Sequence, residues 1–266
     1  MGDPAVRPAS DSSAVTGSAP ARRPALATRV SRRSALVAVG GAAVGAAAAG
    51  AAWAASGSGT GSELPGPAGI PPDADLMREH GVLKRVLLCY AAMTASVQAG
   101  GPLDAGHVKD AALIIHDYIE GFHEGLEEGY VFPRLRSGPL GATVTTLLEQ
   151  HARGRVITQF LLAHTTEQDT ADPATRARLV SAMSAFNRMY QPHEAREDTV
   201  VFPALRQAMS PQEFADLGAH FARLEQQQFG PGEFTAMVNK VAGIERALGL
   251  YDLASFTPDI TPYAAG

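Results

Sequence analysis

Cysteine is nearly absent from this sequence of 266 residues, which contains only Cys89. A single thiol excludes an intramolecular disulfide framework and any zinc or iron–sulfur site built from cysteines. We therefore interpret Cys89 as a small apolar residue on a helix. The sequence also lacks a nucleotide-binding glycine loop, a nucleophile triad and a haem-attachment motif.

Charged residues are scarce, at 18% of the chain, and their balance is acidic. Residues 1–56 contain six of the 22 basic and two of the 27 acidic residues, which leaves 16 basic and 25 acidic residues in the rest of the chain. The remainder therefore carries an excess of acidic charge, whereas binding to a phosphate backbone requires a basic face. The sequence predicts that nucleic acid is not a partner.

The N-terminus differs in composition from the rest of the chain. Residues 1–30 are rich in Ala, Pro, Ser and Arg without apolar periodicity, which predicts disorder. Arg32 and Arg33 then precede an uncharged run, 34–62, made mostly of Ala, Gly and Val, with an A-x-A cleavage pattern at 52–54. This arrangement resembles a twin-arginine signal and predicts export to the periplasm or cell surface. The alternatives are membrane attachment through the uncleaved run and an Ala-rich linker; Ala and Gly contribute little transfer energy, which disfavours a stable span.

Beyond residue 72, apolar residues recur at steps of three and four almost throughout, and no segment alternates with period two long enough to predict a strand. We predict helices at 73–98, 103–132, 140–164, 173–202, 211–228 and 233–248. Pro133 and Pro203 are predicted to end the second and fourth helices. Ser210, with Glu213 three residues later, predicts a capping box at the start of the fifth.

Four long amphipathic helices joined by short turns favour an all-α fold, an up-down-up-down four-helix bundle with two extra C-terminal helices. The predicted parts are a disordered N-terminus with a signal peptide (1–56), a Gly/Pro linker (57–72), the bundle (73–208) and a helical extension (209–266). The extension is interpreted either as a cap on the bundle or as an oligomer contact.

An internal repeat runs through the predicted bundle. HEGLEEGYVFPRL at 123–135 returns as HEAREDTVVFPAL at 193–205, and LMREHGVLKRV around His80 resembles LLEQHARGRVI around His151. The first two helices are thus repeated by the next two, as a pseudo-twofold bundle would require. Such an axis would bring equivalent residues together.

The repeat singles out residues of metal-binding type. Residues four apart share a helix face, so each His-x-x-x-Glu pair can aim an imidazole and a carboxylate at one interior point. Such groups are costly to bury without a partner. The predicted metal ligands are His80, His123, Glu127, His151, His193 and Glu197. Imidazole with carboxylate and no thiolate suits non-haem iron, with manganese or zinc less favoured.

Four segments in order, REHGVLKRVL, HEGLEEGYVFPRL, LLEQHARGRV and HEAREDTVVFPAL, resemble a hemerythrin-like (HHE cation-binding) domain over residues 73–205. The resemblance implies a four-helix bundle that holds two non-haem iron ions. It also implies that the four histidines are terminal ligands and that Glu127 and Glu197 bridge the two irons.

The sequence departs from this pattern at the third helix. Oxygen-carrying hemerythrins have a second histidine one turn after the first one there, and this chain has Arg155 at that distance from His151. His116, seven residues before His123, is the candidate for the missing fifth nitrogen ligand, with a core role as the alternative. Tyr118 and Tyr190 are further candidates for that position, with core packing as the alternative.

The leading interpretation is a protein that binds or senses a small oxidant, namely dioxygen, peroxide or nitric oxide. The alternatives are a di-iron enzyme with catalase-like peroxide turnover and an iron-handling protein. Ferritin-type chemistry is disfavoured because it requires Glu-x-x-His on two helices, and only Glu120 to His123 fits. Acidic residues beside the ligands are interpreted as a solvated face, with hydrogen bonds to ligand imidazoles as the alternative: Glu79, Glu124, Glu128, Glu149, Glu194 and Asp198.

Overall fold

The computed structural model describes residues 69–263, and all regular secondary structure in this range is helical. The all-α prediction is therefore confirmed. The predicted signal peptide and most of the predicted linker lie outside the described residues. Within the described range, no helix combines the length and the apolarity needed to cross a membrane.

Four long helical stretches make up most of the described chain. The first helix is Pro72–Gln98, and the third helix is Gly141–Ala163. The second helical run, 105–135, alternates between α and π geometry: Ala105–Ile114, π-helical Ile115–His123, Glu124–Leu126, π-helical Glu127–Val131 and Phe132–Leu135. The fourth helical run, 173–207, consists of Pro173–Arg196, π-helical Glu197–Val201 and Phe202–Gln207.

The predicted ends of the second and fourth helices are wrong, because helical structure continues past Pro133 and Pro203 to Leu135 and Gln207. A proline inside an α-helix clashes with the carbonyl four residues earlier. In both runs a π-helical turn directly precedes the Phe-Pro pair, and its i→i+5 bonding moves that carbonyl out of the α-helical position. The prolines therefore sit at the start of a new α-helical turn.

The remaining elements begin at recognisable caps. A short helix, Glu167–Ala171, links the third helix to the fourth run and begins with a capping box from Thr166. The predicted capping box of Ser210 and Glu213 is confirmed at the start of the helix Pro211–Phe229. The helix Glu233–Ala247 follows, and the 3₁₀ turns Leu253–Phe256 and Thr261–Tyr263 close the described chain.

The packing partners of the helices define where the interior lies. The first helix packs against both the second and the fourth run, and the third helix also packs against both of these runs. The two C-terminal helices pack on the first helix and contribute to the same hydrophobic core, with Phe214 and Phe221 from Pro211–Phe229 and Met237 and Val241 from Glu233–Ala247. Cys89 is buried in that core, as its apolar interpretation predicted.

Candidate metal centre

The six predicted ligands converge in the interior of the helical domain, and none of them is more than 3% exposed. Each of the four long stretches contributes at least one of them: His80 from the first helix, His123 and Glu127 from the second run, His151 from the third helix, and His193 and Glu197 from the fourth run. Residues far apart in sequence therefore meet only because all four stretches turn their repeated faces inward.

The ligand atoms form two overlapping groups, which we call position 1 and position 2. Position 1 consists of His80, His123 and Glu127; position 2 consists of Glu127, His151, His193 and Glu197. In each group one nitrogen or oxygen per residue lies within 4.8 Å of the others. Glu127 belongs to both groups, so the two positions are adjacent.

Both carboxylates lie between the two positions. Glu127 Oε1 is 3.5 Å from His123 Nε2, and Glu127 Oε2 is 3.4 Å from His151 Nε2. Glu197 Oε2 is 3.5 Å from His80 Nε2 and 3.1 Å from His193 Nε2. Each carboxylate thus contacts one histidine of each position, the arrangement that a bridging carboxylate requires.

All four carboxylate oxygens of Glu127 and Glu197 are buried and accept no hydrogen bond from the described residues. Burying a carboxylate costs several kcal/mol unless a positive charge compensates it. The Nε2 atoms of His151 and His193 also face each other at 3.2 Å. A cation between these atoms would satisfy all of them, so the residues present fit a metal site.

The other ring nitrogen of each histidine, Nδ1, has an oxygen acceptor on its outer side. We call these four residues the outer acceptors. The pairs are His80 with Asp198 at 2.7 Å, His123 with Glu79 at 2.7 Å, His151 with Glu128 at 3.0 Å and His193 with Gln150 at 2.8 Å. An Nδ1–H that donates outward leaves the Nε2 lone pair pointing at the carboxylates, as metal coordination requires.

The outer acceptors follow the internal repeat. Glu79 and Gln150 each precede the lone histidine of their half, and Glu128 and Asp198 each follow the carboxylate of theirs. The interpretation of Glu79, Glu128 and Asp198 as a solvated face is therefore wrong. It is also wrong for Glu124 and Glu194, which are buried, whereas Glu149 is exposed as expected. Gln150 was not predicted. The repeat offset relates Glu79 to Gln150 and Glu128 to Asp198, but it does not show that these side chains reach the histidines.

A basic residue pairs with an outer acceptor in each half. Lys84 Nζ lies 3.0 Å from Asp198 Oδ2, and Arg155 Nη2 lies 2.6 Å from Glu128 Oε1. Burial raises the pKa of Asp198, but His80 and Lys84 outweigh it and hold that pKa below its usual value. The hydrogen bond from His151, opposed by burial and helped by Arg155, lowers the pKa of Glu128.

A third group of residues that could hold a metal ion consists of Glu124, Glu128 and His151, and Arg155 pairs with its two carboxylates. Its Nη2 atom lies 2.6 Å from Glu124 Oε2 as well as from Glu128 Oε1. The guanidinium supplies the positive charge that this group needs. At the position where the resemblance predicts a further histidine, this chain thus has an arginine that holds an outer acceptor.

Protons and a metal ion compete for the same lone pairs. Burial lowers the pKa of His80, but the carboxylates of Asp198 and Glu197 outweigh it and raise the pKa to about 9. Burial raises the pKa of Glu197, but the charges of His193 and His80 outweigh it, so the pKa lies below its usual value. Metal binding at this centre must therefore release protons.

His116 does not lie with the other predicted ligands. Its side chain is half exposed, and its Nδ1 pairs with Asp117 Oδ1 at 2.7 Å. The seven-residue spacing from His123 predicts a shared face only in an α-helix, but Ile115–His123 is π-helical. Each i→i+5 turn takes roughly one residue more than an α turn, so seven residues no longer complete two turns.

The tyrosine candidates are buried, and neither hydroxyl is hydrogen-bonded to a predicted ligand, although the Tyr190 ring packs 5.1 Å from the His193 ring. Tyr190 donates to Glu124 Oε1 at 2.7 Å, and the Tyr118 hydroxyl has no hydrogen-bond partner among the described residues. The repeated Phe-Pro pairs have a further role: Phe202 packs on the His80 ring with centroids 5.5 Å apart, and Phe132 packs on the His151 ring at 5.6 Å. Apolar rings thus cover one histidine of each position.

Comparison with known proteins finds similar proteins in mycobacteria. The chain is 49% identical over 185 residues to "Uncharacterized protein Rv1995" of Mycobacterium tuberculosis and to "Uncharacterized protein Mb2018" of Mycobacterium bovis. Each alignment covers 69% of this chain and 72% of the relative. No family model matches the chain, and no solved structure matches it. The names of the relatives state no activity, so function has to be inferred from the residues of the site.

Proposed function

We propose that this chain, which belongs to the same family as the mycobacterial proteins Rv1995 and Mb2018, is a hemerythrin-like protein that holds two iron ions and binds or senses a small oxidant. The observation that carries the proposal is the convergence of both repeated His-x-x-x-Glu pairs on one buried centre. The four inward carboxylate oxygens there accept no hydrogen bond from the described residues.

The contacts between helices support a four-helix bundle. The first and third helices each pack against the second and fourth runs, and consecutive stretches are joined by short turns or by one short helix. These are the neighbours expected in an up-down-up-down bundle. The two C-terminal helices would then cover the outside of the first helix.

The donor set supports iron. Imidazole and carboxylate donors without thiolate suit non-haem iron, and two histidines with a carboxylate leave coordination positions open in non-haem iron sites. Position 1 would be held by His80 and His123, position 2 by His151 and His193, and both by the carboxylates of Glu127 and Glu197. Iron bound there supplies a redox-active centre with room for a small ligand.

The chain's own residues prepare this centre. The outer acceptors fix each imidazole with Nε2 facing inward, and Lys84 and Arg155 fix two of those acceptors. Phe132 and Phe202 cover the His151 and His80 rings and limit the access of water. Arg155 is engaged with Glu124 and Glu128, and this leaves a ligand position for a small molecule at position 2.

The test is anaerobic titration of the metal-free, full-length protein with ferrous iron, followed by exposure to dioxygen, peroxide or nitric oxide. We expect about two irons per chain and ultraviolet–visible bands that change with each oxidant. Glu127→Ala and His193→Ala should lose iron, because each removes a ligand from the centre. His116→Ala is the matched control and should bind iron as the wild type does.

The outcomes separate the candidate functions. Reversible spectral change without turnover supports binding or sensing, whereas sustained oxygen release from peroxide would replace that proposal with the enzyme. A folded helical protein that takes up no iron would refute the di-iron centre. Export by residues 1–56 remains a separate proposal, tested by recovering the chain outside the cytoplasm with and without Arg32→Lys and Arg33→Lys.

A further inference from the structure

The two positions of the centre differ at one outer acceptor. His80 and His151 are equivalent in the repeat, and each donates to a carboxylate, Asp198 or Glu128, that also pairs with a basic residue. His123 and His193 are equivalent as well, but their acceptors differ. His123 faces the carboxylate of Glu79, and His193 faces the amide oxygen of Gln150.

A carboxylate and an amide do not have the same effect on a ligand histidine. A charged acceptor makes a stronger hydrogen bond than a neutral one. The charged acceptor draws the Nδ1 proton outward and makes Nε2 a better electron-pair donor to a metal ion. Glu79 is fully buried, whereas Gln150 is only partly buried, so the electrostatic effect of Glu79 is also less screened by water.

The surroundings of Glu79 add negative charge on the side of position 1. Arg78 donates to Asp75 at 2.6 Å and to Glu225 at 3.2 Å, and both of these carboxylates act electrostatically on Glu79. One guanidinium thus pairs with two buried carboxylates, which leaves a net negative charge beside Glu79. Glu225 comes from the helix Pro211–Phe229, so the C-terminal extension takes part in this environment.

We propose that the two metal positions are unequal, that position 1 binds its ion more tightly than position 2, and that Glu79 sets the difference. The inference rests on the proposed di-iron function and goes beyond it. Over a range of metal concentrations the protein would hold one ion at position 1 before position 2 fills. The centre would then exist in a stable one-metal form as well as a two-metal form.

The experiment measures stepwise affinity rather than activity. Full-length, metal-free protein is titrated anaerobically with ferrous iron in competition with a chromophoric chelator. We expect two binding steps whose dissociation constants differ by about 10- to 100-fold, the range found when such hydrogen-bond partners of metal ligands are changed. His151→Ala should keep the tight step, and His80→Ala should keep only the weak one.

Reciprocal substitutions assign the difference to the outer acceptors. Glu79→Gln should weaken the first step about 10- to 100-fold, so that the two steps approach each other. Gln150→Glu should strengthen the second step. This gain can be measured even if Glu79→Gln does not fold. Far-ultraviolet circular dichroism of each metal-free variant checks that the fold is retained.

The possible failures are distinguishable. Two equal steps in the wild type, or an unchanged first step in Glu79→Gln, would overturn the inference and leave the di-iron centre intact. Absence of iron binding in the folded wild type would overturn the proposed function, and the inference with it.

Discussion

Tyr190 and Tyr90 illustrate how two buried tyrosines of one protein differ in their hydrogen bonding. The Tyr190 hydroxyl donates to Glu124, and the absence of a side chain at Gly154 makes room for that hydroxyl against the third helix. The Tyr90 hydroxyl is buried without a hydrogen-bond partner among the described residues. The same substitution at the two sites should therefore have different consequences.

Tyr190→Phe should lower the free energy of unfolding by about 1–3 kcal/mol, because it removes a donor from a buried carboxylate. Tyr90→Phe should leave the free energy of unfolding unchanged or raise it, because it removes a hydroxyl that has no partner. Urea denaturation of the metal-free proteins, followed by circular dichroism, measures both changes. Equal losses in the two variants would contradict this account of Tyr190.

At the scale of whole helices, close approach depends on single glycines. A Cβ atom at Gly218 would lie 2.7 Å from the Ile70 carbonyl oxygen and 3.2 Å from Pro72 Cδ. Gly218 thus allows the helix Pro211–Phe229 to contact the start of the first helix. Gly243, on the helix Glu233–Ala247, has no atom of residues 69–263 within 4 Å of the corresponding point.

Gly218→Ala should lower the free energy of unfolding by about 1–3 kcal/mol, since the new methyl group meets backbone atoms that cannot move cheaply. Gly243→Ala is the matched control and should raise the free energy of unfolding by about 0.5–1 kcal/mol, because alanine restricts the unfolded chain and suits a helix. Urea denaturation measures both changes. A stabilising effect of Gly218→Ala would show that this helix does not depend on the contact.

The π-helical segments also change which residues share a helix face. Glu127 and Glu197 each begin a π-helical segment of five residues, and both segments lie at equivalent points of the repeat. The longer segment Ile115–His123 is in the first half, whereas Pro173–Arg196 in the second half is α-helical. The sequence periodicity assumed a uniform α-helix, which is why it assigned His116 to the wrong face.

At the scale of the whole molecule, the metal-free centre links stability to pH. A histidine whose pKa is raised on folding stabilises the protein fully below the unfolded pKa, and this stabilisation is lost as pH rises through the folded pKa. The pKa of His80 rises from 6.5 to about 9, and His123 and His151 shift in the same direction. Burial raises the pKa of Glu194 from 4.5 to about 7, so its contribution is lost between about pH 4.5 and 7, mostly below the range in which His80 acts.

The metal-free protein should therefore lose stability as pH rises from about 6.5 to 9, with roughly 3 kcal/mol from His80 alone. Urea midpoints at several pH values, with a chelator present, measure the slope. His80→Gln should flatten it. Bound iron should reverse the slope between about pH 6 and 8, because the metal replaces the protons. Stability that increases with pH in the metal-free wild type would contradict the protonated centre.

The sequence by itself determined the all-helical class, the capping box at Ser210 and the six residues that meet at the centre. It could do so because helix faces follow a fixed local period and because the chain carries the pattern twice, so each half checks the other. Only the tertiary structure decided which side chains hydrogen-bond to the histidines among them. The outer acceptors reach their histidines from a different helix in every pair, and such contacts depend on how helices are rotated against each other. This rotation and the π-helical turns leave no periodic mark in the residue types, and so the surroundings of His116 and Gln150 could be assigned only in three dimensions.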